Sequence, residues 1–67
     1  MKNLTQLREG QGWSKSELAR RAGLNQTTVS AVEIGRLIPY DTQLRKLAKA
    51  LGVSDPDSLL DEILPDG

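Results

Sequence analysis

The sequence predicts an all-α domain of five short helices, and three observations carry that expectation. Leu, Ala and Val recur at three- and four-residue spacing, the period of helices with one buried face. Phe is absent and Trp13 and Tyr40 are the only aromatics, which again favours helices over alternating strands. Each apolar stretch is bounded by residues that start or stop helices: Ser14, Asn25, Asp41 and Pro56 on one side, Gly10, Gly23, Gly35 and Gly52 on the other.

The first helix is expected over residues 3–9, with Leu4 and Leu7 on one face and Gly10 and Gly12 ending it. Ser14 followed by Glu17 reads as a capping box, in which the hydroxyl accepts from the N–H of Glu17 and the carboxylate returns to the N–H of Ser14. Trp13 and Leu18 occupy the flanking positions of a hydrophobic staple, and Leu18, Ala19 and Ala22 give the second helix a narrow apolar stripe up to Gly23. Leu24-Asn25 repeats the staple and cap, with Val29 as staple partner, and opens a third helix over residues 26–34. A link this short, containing Gly, forces two helices to cross steeply, the geometry of a helix-turn-helix.

Pro39 stops any helix running through the Arg36–Ile38 link, and Asp41 suits the cap of a fourth helix over residues 42–51. Leu44, Leu47, Ala48 and Leu51 form its stripe; Gly52 ends it, and Val53 can fold back on the last turn. Pro56 with Asp57 starts a fifth helix whose apolar face is Leu59, Leu60, Ile63 and Leu64, with Pro65-Asp66-Gly67 as a frayed end.

At 67 residues the expectation is one domain, residues 1–67, because a chain this short buries only about 60% of its unfolded surface. Cys and His are both absent, which removes disulfides, thiolate chemistry, the usual metal ligands and the usual general base. An enzyme is therefore not expected, nor is a metal or cofactor. No apolar run approaches a bilayer span, and the charged opening lacks the apolar segment of a signal peptide, so a cytoplasmic protein is expected. The formal net charge is zero, yet its distribution is uneven. All nine basic residues lie within residues 1–54 beside four acidic ones, whereas residues 55–67 carry five acidic residues and no base. That leaves room for a basic face toward nucleic acid.

On a helical wheel of the third helix, Thr28, Val29 and Val32 cluster on one side. Gln26, Thr27, Ser30, Ala31 and Ile34 lie across the other, a surface of amide, hydroxyl and small groups without an acid near its centre. A helix entering the major groove wants this composition: Gln pairs with the N6/N7 edge of adenine, hydroxyls donate or accept, and Ala touches a thymine methyl.

The stretch Ser14 to Gly35, SKSELARRAGLNQTTVSAVEIG, resembles the Cro/repressor-type, or Xre-like, helix-turn-helix family. LTQLRE, GRLIP and LRKLAKALGV match the family's surroundings in the right order, so the resemblance spans residues 3–64. It implies a compact five-helix, lambda-repressor-like DNA-binding domain with its helix-turn-helix unit at 14–35. It also implies a homodimer over a two-fold-symmetric operator in double-stranded DNA. By the same resemblance, Gln26, Thr27, Ser30 and Ala31 are the base-contacting positions. Lys15, Asn25 and Arg36 are candidates for phosphate contact, and Arg8 and Glu33 fall where the family commonly has an ion pair joining the first helix to the end of the third. The implied function is a transcriptional regulator, a repressor.

Three positions depart from the family pattern: Lys15 replaces a common Gln, Ile34 a common polar residue, and Tyr40-Asp41 a Ser followed by an apolar residue. Two further readings stay open on sequence alone. One is an antitoxin that represses its own operon and holds a toxin through the acidic C-terminal segment. The other is a protein-interaction module using Leu59, Leu60, Ile63 and Leu64 without DNA. The dimer surface is expected near the fourth and fifth helices.

Overall fold

Ser14 begins the unit on which the rest is built: its Oγ accepts from Glu17 N at 3.1 Å and starts a helix at Lys15–Ala22. The computed structural model describes residues 1–63. Within them lie α1 (Asn3–Gly10), α2 (Lys15–Ala22), α3 (Gln26–Glu33), α4 (Asp41–Leu51) and a short 3₁₀ helix at Pro56–Leu60.

The turn from α2 into α3 follows from one left-handed residue. Gly23 has φ 72°, which lets Leu24 N reach back to Ala19 O at 2.8 Å and satisfies the end of α2. Asn25 then caps α3, its Oδ1 accepting from Thr27 N at 2.8 Å. The two helices are thereby joined by three residues, and Leu24 packs onto the core beneath the turn.

The core is a single cluster: Leu4 from α1, Leu18, Ala19 and Ala22 from α2, Val29 and Val32 from α3, Leu44, Leu47 and Ala48 from α4, and Leu59. These are the expected stripes of α2, α3 and α4, except that Leu51 is only partly buried. α2 is the central element, packing against both α3 and α4, while the 3₁₀ helix covers α4 and α1. Every buried side-chain nitrogen and oxygen among the described residues has a hydrogen-bond partner.

The fold has four α-helices and not five. The segment expected as a fifth helix makes a 3₁₀ turn at Pro56–Leu60 and then runs extended through Glu62. Asp55 caps it by accepting from Asp57 N, and Ser58 donates to Asp55 O through both its N–H and its hydroxyl. Beyond it the chain pairs with the N-terminus: Asn3 N donates to Asp61 O at 2.8 Å, and Ile63 N to Met1 O at 2.7 Å. Lys2 Nζ meets Glu62 Oε1 at 2.8 Å alongside. A helix this short gains little by itself, and the first residues offer the backbone of 61–63 an alternative set of hydrogen bonds. Leu59 is fully buried and Leu60 packs on the core, so neither is displayed as a docking surface. Leu64, Pro65, Asp66 and Gly67 lie outside the described residues.

Two boundaries also shift. α3 ends at Glu33, with Ile34 already in the cap position, and α4 begins at Asp41, with Tyr40 in the cap position and Gln43 Oε1 accepting from Tyr40 N at 2.9 Å. At Ser14 only half of the capping box forms, because the Glu17 carboxylate turns away to two arginines.

Candidate nucleic-acid interface

α3 is amphipathic in an unusual sense: Val29 and Val32 are fully buried, and the opposite side carries no charge at all. There is no acid in its first turn and no base in its last. Gln26, Thr27, Ser30 and Ala31 line one shallow open groove of about 300 Å³ along that side, together with Ile34 and Arg36. Gln26 and Thr27 are exposed, while Ser30 and Ala31 are half-buried and form the floor.

Arg36 reaches the groove because of how α3 ends. Gly35 takes φ 80°, and Ala31 O accepts from both Arg36 N at 2.9 Å and Leu37 N at 3.2 Å. The chain folds back over the last turn of α3 and brings Arg36 to the rim of the groove that Gln26 opens. Ile34, 62% exposed, lines the groove at the same end.

The other two phosphate candidates flank the groove without lining it. Asn25 is the exposed cap of α3; with Oδ1 engaged by Thr27 N, its Nδ2 remains as a donor beside the helix N-terminus. Lys15 is half-buried at the first position of α2. Both sit where a helix presents N–H groups and the positive end of its dipole, which favours an anion.

Arg8 and Glu33 pair closely beneath the end of α3. Arg8 Nε donates to Glu33 Oε2 at 2.8 Å and Nη2 to Oε1 at 3.1 Å; Nη1 donates to Trp13 O at 2.7 Å. Thr5 Oγ1 also donates to Glu33 Oε1 at 3.1 Å. Sequence reasoning missed Thr5, although its place one turn before Arg8 puts it on the same face of α1.

The arginines of α2 are partly neutralised. Arg20 Nη2 donates to both Glu17 oxygens and Arg21 Nε to one of them, and Arg21 stacks over the Trp13 ring at 4.4 Å. The hydrogen bond from Arg20 holds the Glu17 carboxyl below its ordinary value of 4.5. No described helix is long and apolar enough to cross a membrane.

A family profile described as helix-turn-helix matches residues 4–57. The chain belongs to this helix-turn-helix family. The match spans the resemblance to Cro/repressor-type sequences and the three-residue turn at Gly23. Among helix-turn-helix relatives, a protein described as a hypothetical transcription factor of Neisseria meningitidis is 45% identical over 58 residues, which are 87% of this chain and 55% of that protein. An HTH-type transcriptional regulator of Sinorhizobium fredii is 40% identical over 52 residues, 78% of this chain and 68% of that one. The crystal structure of the hypothetical transcription factor NHTF from Neisseria superposes with a TM-score of 0.78 at 45% identity, over 87% of this chain and 64% of that chain. The chain thus spans little more than half the length of the Neisseria meningitidis relative.

Proposed function

We propose that the protein is a sequence-specific DNA-binding transcriptional regulator, a repressor, that lays α3 in the major groove of duplex DNA. The observation that carries this reading is the shared groove: amide, hydroxyl and methyl groups of Gln26, Thr27, Ser30 and Ala31 on one uncharged surface, with an arginine at its rim. The descriptions of its relatives as transcription factors and regulators point the same way.

In this reading Gln26, at the start of α3, offers its amide to an adenine edge. Thr27 and Ser30 supply adaptable hydroxyls, and Ala31 makes room for a thymine methyl. Lys15, Asn25 and Arg36 take phosphates and set the register of the helix on the duplex. The Arg8–Glu33 pair is a positioning device that fixes the angle of α3 from behind. Two copies act over a two-fold-symmetric operator in the cytoplasm, blocking the promoter by occupancy and without catalysis.

The test is selection of random-site duplexes on the purified protein, repeated across salt. An enriched two-fold motif is expected, with log affinity falling linearly in log salt at a slope near the number of phosphates neutralised. Retention without any enriched motif would overturn sequence-specific reading.

A further inference from the structure

Among the described residues the large apolar side chains left exposed are Met1, Ile34, Leu37, Ile38 and Tyr40, and four of these fall between the end of α3 and the start of α4. Ile34 belongs to the groove. The others lie beyond it, with Ile38 85% and Tyr40 76% exposed. Single exposed apolar residues are ordinary, but three in one short link are not scattered.

The link is held in place. Leu37 N is bonded to Ala31 O at one end and Tyr40 N to Gln43 Oε1 at the other. Pro39, between Ile38 and Tyr40, is buried and anchors the middle. The apolar side chains are therefore presented outward from a fixed backbone.

Directly after Tyr40, Asp41 and Arg45 form an ion pair of 3.0 Å on the first two turns of α4, with side chains 70% and 72% exposed. An apolar centre bordered by one acid and one base is self-complementary about a two-fold axis, where residue i of one copy meets j of the other and j meets i. It carries no net charge and so favours neither a basic nor an acidic partner of another kind. The surface expected near α4 and the fifth helix is not comparable, since Leu44, Leu47 and Leu59 are buried in the chain's own core.

We propose that Leu37, Ile38 and Tyr40, bordered by Asp41 and Arg45, form the surface on which a second copy of this chain docks about a two-fold axis. The proposal deepens the two-fold operator reading and rests on it for the pairing of half-sites, while the surface itself is testable without DNA. A stable pair buries about 800 Å² on each partner, roughly a fifth of the 4411 Å² this chain exposes, and five side chains do not cover that. Association is consequently weak in free solution and is completed on a duplex carrying both half-sites.

The experiment is sedimentation equilibrium of the full chain from micromolar to millimolar concentration, with circular dichroism as the folding control. The native chain is expected to pass from monomer to dimer, and Ile38→Asp to stay monomeric while folded. Asp41→Arg and Arg45→Asp are each expected to lose self-association when alone and to regain it when mixed in equal amounts, because each then faces its opposite charge. A native chain monomeric at millimolar concentration, an Ile38→Asp chain that still dimerises, or a mixture that stays monomeric would each overturn the proposal. On DNA, Ile38→Asp should bind a single half-site as the native chain does and lose about tenfold on the paired site. Loss on the single half-site would instead mean that the link touches DNA, and would also overturn it. If the native chain binds no duplex, the DNA reading fails and sedimentation alone decides the docking surface.

Discussion

Arg8 on α1 and Glu33 on α3 are joined by a two-pronged ion pair whose charged groups are almost out of water, with side chains 10% and 3% exposed. The same guanidinium holds Trp13 O, so one side chain ties α1 to the loop before α2 and to the end of α3. Removing one partner leaves the other buried and unpaired, which is costly even where the pair itself adds little net stability. Glu33→Gln keeps an acceptor oxygen but loses the charge, and about 2–3 kcal/mol of stability is expected to go with it. Thermal melting should fall by roughly 10–20 °C, and operator affinity should fall with it as α3 loses its fixed angle. An unchanged melting temperature together with unchanged affinity would remove the positioning role.

Gln26 and Lys15 should fail in different ways. Gln26→Ala removes an amide from the groove and is expected to relax preference at one base pair, at a cost of about 1–3 kcal/mol on the preferred site only. Lys15→Ala removes a mobile charge beside a phosphate, so all sequences should weaken alike and the salt slope should drop by about 1. Affinity measured on matched and mismatched duplexes at several salt concentrations separates the two. Uniform loss in both variants would be inconsistent with these roles.

The turn between α2 and α3 can be tested at Gly23. A methyl group there meets nothing within 4 Å, so Gly23→Ala is penalised only by its left-handed backbone, by about 1–2 kcal/mol. Gly10, inside α1 and equally open, gives the control: Gly10→Ala should stabilise by up to about 1 kcal/mol. Chemical denaturation of the two variants is expected to move the midpoint in opposite directions.

Acid should loosen the molecule at two exposed pairs. Arg20 lowers the Glu17 carboxyl, and Lys2 lowers that of Glu62, both from an ordinary 4.5. A folded-state value below the unfolded one binds fewer protons in the native state, so this contribution is present above about 4.5 and is lost as pH falls through the lowered values. Glu62→Gln should flatten the stability profile below pH 5 or so, measured by thermal melting across pH. A profile identical to that of the native chain would mean that the Lys2–Glu62 contact does not persist in solution.

The residues that were legible in the sequence are those whose effect is local. Ser14 and Asn25 cap the helices that follow them, Gly23 takes the left-handed turn, and the stripes of α2, α3 and α4 form the core, because each depends on neighbours within four positions. The end of the chain was not legible. Leu59, Leu60 and Ile63 have helical spacing, but the pattern holds no trace of the N-terminal strand that competes for the backbone of 61–63. The Glu17 carboxylate was misplaced for a similar reason: two arginines three and four residues on outbid the backbone of Ser14. The arrival of Arg36 at the α3 groove depends on a chain reversal at Gly35, which spacing alone does not specify.

The central claim is that the uncharged side of α3 is the surface that meets DNA. Amide chemical-shift mapping by NMR, with the full chain titrated by a selected duplex in low salt, tests it most directly. The largest shifts are expected from Asn25 through Arg36 and at Lys15, with the 3₁₀ helix at Pro56–Leu60 unmoved. Shifts confined to α4 and the 3₁₀ helix, or none on any duplex, would contradict it.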